Sequence, residues 1–354
     1  MLEPSIARVD DAAWNKCAGQ HPFVRYEFLS ALESSGALGS ISGVIPKYAL
    51  LYDTCNQLIA CAPAMLKWGT LREYGPERNW LKAGEEQGLF KWPKFQLGVP
   101  FFPMQGPRIL IWNEVPKREI QNFFLQALIK LWSENSDFAA FNVMHTDLGT
   151  AEWCQELGGV VTREWNAIWI NKDFRSVDQF LLTIPMRKRY EFRRCRRQAI
   201  QHGLQYRVVT GVDLTAEMIA DYYEGHRHVC ARHNWAPWLP KAAYELIVQS
   251  IPDSLYLLGY FDQNKLVAGI LVVIDHQYRT AYLLQWSEMD KLEGIALDLI
   301  CYRPIEFGIE YQIQVVDSGL IAKHKTLRGW SPSPSYNIHW FRTESLGRLA
   351  AEHS

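Results

Sequence analysis

Positively charged side chains are concentrated in one short segment of this 354-residue chain. Residues 187–197 carry seven bases and one acid, although the 37 Lys and Arg and 38 Asp and Glu of the whole chain sum to a net charge of −1. Apolar residues at helical spacing predict an amphipathic helix with the bases along its flanks. Such a cluster favours contact with phosphate or nucleic acid over a solvated helix face. The bases are Arg187, Lys188, Arg189, Arg193, Arg194, Arg196 and Arg197.

A second basic segment, residues 322–330, follows a predicted strand at residues 312–316. Loops at the carboxyl ends of strands in α/β sheets are where ligands bind. The bases that flank His324 would favour its neutral form, which can accept a proton. His324 is therefore a candidate general base, although a basic surface turn or a capping histidine would give the same pattern.

Lys291, Gly294 and Ala296 lie in a loop that we predict between a strand and a helix. Small residues at this position let backbone N–H groups approach a bound phosphate or carbonyl. The spacing resembles, in degenerate form, the pyrophosphate loop of the GNAT acyltransferase superfamily, with Lys in place of Gln or Arg. An ordinary helix N-terminus is compatible with the same residues.

Other reactive side chains give weaker signals. Residues two apart on a helix do not share a face, so we expect no metal site from the set His226, His228, Cys230 and His233. Cys195 falls on the apolar stripe of its helix, which argues against a nucleophile. Seven widely spaced cysteines without a CxxC pair are typical of reduced core thiols, and hence of a reducing compartment.

Composition limits the classes of protein that fit. Hydrophobic residues make up 48% of the chain and aromatic residues 13%, so it is globular rather than disordered. The N-terminal segment lacks the bases and apolar run of a signal peptide, and the apolar stretches are too short to span a bilayer. We expect a cytoplasmic protein without membrane insertion, either a monomer or a homodimer.

The order of predicted elements is similar in the two halves of the chain. Each half contains a β-hairpin, a further strand and a helix followed by a strand. The first half also contains an irregular, aromatic-rich region at residues 68–107. In the second half, residues 176–202 are expected to form one helix. The pattern predicts two related α/β domains, residues 1–170 and residues 171–354.

Several ordered motifs together resemble the FemAB-like proteins of the GNAT superfamily, described as N-acyltransferases of peptidoglycan biosynthesis or recognition. The resemblance covers residues 21–345. It rests on HPFVRYEFLSALESSGA at 21–37, VPFFPMQGPR at 99–108, MRKRYEFRRCRR at 186–197, WAPWL at 235–239 and HKTLRGWSPSPSYNIHW at 324–340. The resemblance implies an α/β fold of tandem GNAT-like domains, with mixed sheets flanked by helices.

The resemblance also implies an amide-forming enzyme. Fem-type enzymes transfer an amino acid from aminoacyl-tRNA to an amine, whereas ordinary GNAT proteins use acyl-CoA; we place the tRNA donor first and keep acyl-CoA as an alternative. The acceptor would be a small-molecule or peptide amine, and no tightly bound cofactor is expected. A non-catalytic glycan or nucleic-acid binding protein is the alternative from another class.

Roles for individual residues follow from the same resemblance. Proton transfer is expected at His324 or His339, and carbonyl polarisation at Tyr336 and Lys325. Donor binding is expected at Lys291, Gly294, Ala296, Arg328 and Gly329, and acceptor binding at Glu73, Tyr74, Trp92 and Arg108. The sequence departs from the family pattern before His324, where Ala322-Lys323 replaces Gly-Glu, and it does not decide whether another carboxylate, such as Glu288, Asp290 or Asp317, replaces this Glu.

Overall fold

The computed structural model describes residues 1–69 and 75–352, apart from the side chains of residues 75, 76 and 323. The chain divides into two compact units. The first unit comprises Met1–Trp165 and Pro334–Ser354, and the second comprises Asn166–Ser333. The predicted division at residue 170 lies near this boundary, but Pro334–Ser354 belongs to the first unit.

The helices of the described residues have the following bounds in chain order: α1 Asp11–Ala18, α2 Tyr26–Ser34, α3 Gly75–Glu86, α4 Lys117–Glu134, α5 Leu148–Glu156, α6 Val177–Thr183, α7 Met186–Gln201, α8 Ala216–Arg232, α9 Lys241–Ser250, α10 Ile295–Leu297, α11 Arg303–Glu310, α12 Lys323–Thr326 and α13 Glu344–Glu352. A π-helical turn, Asp298–Tyr302, joins α10 to α11.

The strands are β1 Leu2–Glu3, β2 Val44–Pro46, β3 Tyr48–Tyr52, β4 Leu58–Ala62, β5 Ala64–Lys67, β6 Lys94–Leu97, β7 Leu110–Ile111, β8 Ala140–Thr146, β9 Val160–Ile170, β10 Gln205–Thr210, β11 Leu255–Asp262, β12 Lys265–Asp275, β13 Thr280–Glu288, β14 Val315–Leu320 and β15 Ser331–Phe341. The predicted hairpins are present as β3–β4 and β11–β12.

The first unit contains strands in the orders β1-β3-β4-β7 and β15-β8-β6-β5-β2. Its neighbours pair antiparallel except β6 and β8, which are parallel over three residue pairs, from Phe95↔Phe141 to Leu97↔Val143. The amphipathic helix α4 covers this sheet with Phe124, Leu125 and Leu128, which pack into the same core as the stacked rings of β6 and β8.

The second unit contains the strand order β10-β11-β12-β13-β14-β9. Here too the strands pair antiparallel except for one pair, β13 and β14, which is parallel over three residue pairs from Thr280↔Val315 to Tyr282↔Asp317. Cys195 and Ala199 of α7 and Ile295 and Leu299 of the helix after β13 share one hydrophobic core with this sheet.

Two predictions about elements need correction. The region at residues 68–107, expected to be irregular, contains α3 and β6. The single helix expected at residues 176–202 is two helices, because Pro185 forces Ile184 into an extended conformation between α6 and α7. The predicted fold class, α/β with mixed sheets flanked by helices, is confirmed.

Candidate functional site

The parallel strands β13 and β14 of the second unit separate at one end. Their pairing stops after Tyr282 and Asp317, although β13 continues to Glu288 and β14 to Leu320. The loop with Lys291 and Gly294 follows β13, and the segment with His324 and Lys325 follows β14. Because ligands bind at the carboxyl ends of such strands, this end of the second unit is the candidate site.

Asp317 occupies the last paired position of β14. It is 5% exposed, and its carboxylate accepts hydrogen bonds from the Gly319 backbone N–H at 2.7 Å and from Asn166 Nδ2 at 3.2 Å. Burial raises the pKa of Asp317 to about 6, against the lowering effect of those two donors. Of the three carboxylates considered as substitutes for the missing Glu, Asp317 is the one at the point where the paired strands separate.

Lys325 is the buried cation of the segment after β14. Its side chain is largely enclosed, and Nζ lies 4.7 Å from the centroid of the Trp330 ring. Burial lowers the pKa of Lys325 to about 8, while the nearby Cys301 and Asp317 partly oppose that shift. A protonated Lys325 can polarise a carbonyl oxygen at neutral pH, as its predicted role requires.

His324 is exposed on the short helix α12. Partial burial and the charges of Lys325 and Arg328 lower the pKa of His324, so its imidazole is neutral at neutral pH. This agrees with the effect expected from its basic neighbours. The position of His324 is fixed through its backbone, because the Arg328 guanidinium donates a hydrogen bond to the His324 carbonyl.

Arg328 is committed to a buried ion pair rather than to solvent. Its Nε donates to Glu191 Oε1 at 2.6 Å, and Lys188 Nζ and the Tyr302 hydroxyl contact the same carboxylate at 2.9 and 2.8 Å. Burial alone would raise the pKa of Glu191, but these donors lower it to about 2. The cluster ties the segment after β14 to α7. Gly329, which has φ +90°, packs against α6 instead, since a Cβ there would stand 2.6 Å from Phe180.

Three of the seven bases of α7 are used within the protein. Lys188 binds Glu191, Arg189 donates to the Ile184 and Leu182 carbonyls at the end of α6, and Arg196 contacts Asp298 at 3.3 Å and Glu306 at 2.9 Å. The remaining four are exposed: Arg187, Arg193, Arg194 and Arg197. The exposed basic surface of α7 is therefore smaller than the sequence predicts.

The loop after β13 lies directly against α7. Gly294 has φ +84°, and a Cβ added there would overlap Gln198 Oε1 and stand 3.2 Å from Cys195 Cα. Arg194 Nη1 lies 4.0 Å from Glu293 Oε1, Lys291 is exposed and Ala296 is half-buried. The structure thus brings together three segments that the sequence singled out separately: α7, the loop after β13 and the segment after β14.

Cys195 is buried at the centre of this contact. Burial raises the pKa of its thiol to about 12, so the thiolate is not available near neutral pH. This agrees with its expected role as a core residue.

The predicted acceptor residues belong to the first unit. Arg108 is 2% exposed, and its guanidinium donates to the carbonyls of Met144 at 2.7 Å, Pro107 at 3.1 Å and Met104. Trp92 is half-buried, and its indole N–H donates to Glu85. Glu73 and Tyr74 lie outside the described residues.

Tyr336 and His339 also belong to the first unit, whereas His324 and Lys325 belong to the second. His339 has no exposed surface; its Nε2 lies 2.9 Å from Thr162 Oγ1, and its ring packs against Trp80 and Phe341. Tyr336 packs at the edge of the core of the first unit. Of the two histidines proposed for proton transfer, His324 is the one that solvent reaches.

His145 was not singled out by the sequence. It ends β8 with a left-handed φ of 56°, and its Nδ1 lies 3.6 Å from Glu164 Oε2. Burial and the charges of Arg108, Lys67 and Lys94 lower its pKa well below the usual range. The family motif at residues 105–108 was the indirect signal, because Gln105, Gly106 and Arg108 bind the carbonyls of Thr146, His145 and Met144 in turn.

Within residues 1–69 and 75–352, no group of three or more His, Cys, Asp or Glu side chains is arranged to hold a metal ion. In that part of the chain, no helix combines the length and hydropathy needed to cross a membrane.

A family model for FemAB-like proteins, described as peptidoglycan biosynthesis/recognition, matches residues 5–354. The chain belongs to the FemAB-like family. The resemblance drawn from the sequence motifs is thereby confirmed. No curated protein sequence matches this FemAB-like chain.

Solved structures share the fold of this FemAB-like protein at low sequence identity. A C-terminal domain described as that of a lysylphosphatidylglycerol synthetase from Agrobacterium fabrum is 10% identical, with a TM-score of 0.58 over 98% of this chain and 95% of that chain. The L-PGS structure from Bacillus licheniformis is 10% identical, with a TM-score of 0.55 over 92% and 94%. FemX is 10% identical, with a TM-score of 0.53 over 99% of both chains.

Proposed function

We propose that this FemAB-like protein is an N-acyltransferase that moves an aminoacyl group from aminoacyl-tRNA to a primary amine, forming an amide. Membership of a family described by peptidoglycan biosynthesis supports transfer to a peptide or small-molecule amine. The fold shared with FemX and with enzymes named for lysylphosphatidylglycerol synthesis supports an amide- or ester-forming transferase. The reaction needs no tightly bound cofactor.

The observation that carries the proposal is the contact between α7 and the loop after β13. Four arginines of α7 are exposed, and one of them, Arg194, lies 4.0 Å from Glu293 in the loop that follows β13. A polyanionic donor would be held there by phosphate contacts. The CoA alternative rests on Gly294 leaving room for a pyrophosphate. Gly294 instead packs closely against Cys195 and Gln198. This packing favours tRNA over CoA as the donor.

The chemistry uses groups whose protonation states suit it. The amine nitrogen attacks the ester carbonyl carbon, the new C–N bond forms, and the C–O bond to the tRNA ribose breaks. His324, neutral at neutral pH, accepts a proton from the amine and returns it to the leaving ribose oxygen. Protonated Lys325 stabilises the negative charge that develops on the carbonyl oxygen. Tyr336 and His339 stay predictions from the family resemblance.

The test is the binding of aminoacyl-tRNA at several salt concentrations. Replacing Arg187, Arg193, Arg194 and Arg197 with Gln should weaken binding strongly and reduce the slope of log affinity against log salt by about 3 to 4. A matched control replaces Arg175, Arg227, Lys241 and Lys265, four exposed cations of the same unit, with Gln.

Two results would contradict the proposal. Unchanged affinity and salt slope in the α7 variant would remove the proposed tRNA surface. Stabilisation of the wild-type protein by acyl-CoA but not by aminoacyl-tRNA would show that the donor is CoA.

A further inference from the structure

An exposed pair of stacked rings lies at the C-terminal end of α8. The imidazole of His233 and the indole of Trp235 stack with centroids 4.6 Å apart and planes 21° from parallel. Trp235 is 58% exposed and His233 is exposed as well, so much of the surface of the pair is in solvent. We call these two residues the aromatic platform. The motif WAPWL, which contains Trp235, had no role in the proposed function.

The helix end holds the platform in place. Trp235 donates its backbone N–H to the Cys230 carbonyl at 2.9 Å, and Asn234, with a left-handed φ of 55°, donates to Ala231 at 3.3 Å. This is the Schellman arrangement, which fixes the first residues after a helix. The backbone of Trp235 is therefore held in place before any ligand binds, which reduces the entropic cost of stacking.

The same end of α8 is attached to the end of β13. His228 Nδ1 lies 2.8 Å from the Met289 carbonyl, and Arg232 Nη2 lies 2.8 Å from Glu288 Oε2. Glu288 is the last residue of β13, and the loop with Lys291 and Gly294 begins immediately after it. The aromatic platform is thus tied to the strand end that leads into the proposed donor site.

We propose that the aromatic platform stacks on the adenine base of the donor. The inference rests on the proposed function, because it takes the donor to carry adenosine. Both candidate donors do, since tRNA ends in adenosine and CoA contains it. Stacking of a base on an exposed aromatic ring contributes about tenfold in affinity and does not depend on a hydrogen-bond pattern. A sugar ring would also pack on an indole, but the link of α8 to the end of β13 favours the donor base.

The experiment compares each donor with a shortened ligand that lacks the adenosine and the phosphates attached to it. Deacylated tRNA is titrated against the same tRNA without its terminal adenosine, and CoA against 4′-phosphopantetheine. Trp235→Leu should lose about tenfold in affinity for the ligand that contains adenosine and bind the shortened ligand as the wild type does. Trp235→Phe should recover most of the loss. The control is Trp165→Leu, which removes an exposed tryptophan of the first unit.

A third arm separates this inference from the proposed function. AMP carries the base without either donor, and its binding should also depend on Trp235. If the wild type binds neither tRNA nor CoA but binds AMP through Trp235, the proposed function fails and the platform stands. Equal losses for full and shortened ligands, or no loss at all in Trp235→Leu, would overturn the inference. The inference would also be overturned if Trp235→Leu lost binding to an N-acetylglucosamine oligomer but still bound AMP, because the platform would then be a glycan site.

Discussion

Lys325 shows how burial changes the chemistry of a single side chain. Its ammonium is enclosed beside Trp330, and Asp317 is the nearby carboxylate that favours its charged form. Below about pH 8 the side chain is protonated and can stabilise an oxyanion; above that pH it cannot. Transfer activity should therefore decline as the pH rises through this value.

Titration of Lys325 by NMR, on protein with isotope-labelled lysines, should give a pKa of about 8. Asp317→Asn should lower this pKa further, because it removes a carboxylate that favours the charged form. Lys325→Met identifies the signal by its disappearance. A pKa for Lys325 like that of an ordinary exposed lysine, about 10.4, would show that the side chain is hydrated rather than buried.

The sequence could place basic residues but could not tell which of them would find partners. Arg328 and Arg196 look equivalent to Arg193 in the sequence, yet Glu191, Asp298 and Glu306 neutralise the first two. Each of these acids is distant in the chain from the arginine that it neutralises. The sequence therefore predicts a group of candidate ligand-binding cations. Only the tertiary contacts decide which of these cations face solvent.

At the scale of elements, strand β9 shows why the sequence pattern did not predict every strand. Along this strand Thr162, Glu164 and Asn166 are buried, whereas Arg163 and Trp165 are exposed. An alternation with polar residues inside does not match the usual pattern of a half-buried strand.

The packing of the loop after β13 against α7 can be tested with two glycines. Gly294 and Gly203 both have left-handed φ, at +84° and +71°, but a Cβ at Gly203 would meet nothing within 4 Å. Gly203→Ala should cost about 1 kcal/mol of unfolding free energy from backbone strain alone. Gly294→Ala should cost about 2 to 3 kcal/mol, because the added Cβ also crowds Cys195 and Gln198. Urea unfolding of both variants measures the difference, and equal losses would mean that the loop is not packed as described.

At the scale of the whole molecule, each unit contains a parallel pair of strands that lasts for three residue pairs. The repeated order of hairpin, strand, helix and strand made this likeness predictable from the sequence. The path of the chain was not predictable, because nothing local in the sequence of Pro334–Ser354 shows whether its strand belongs to the first unit or to the second. Membership of a unit depends on which core the apolar residues enter.

Two tryptophans ten positions apart make this division testable. Trp330 is buried in the core of the second unit, and Trp340 in the core of the first. Each change to Ala should cost about 3 to 5 kcal/mol of unfolding free energy, through lost burial and the cavity left behind. Hydrogen exchange with mass spectrometry should then show faster exchange mainly in Asn166–Ser333 for Trp330→Ala, and mainly in Met1–Trp165 and Pro334–Ser354 for Trp340→Ala. If Trp340→Ala instead accelerated exchange in the second unit alone, the C-terminal segment would belong to that unit, as the division at residue 170 had placed it.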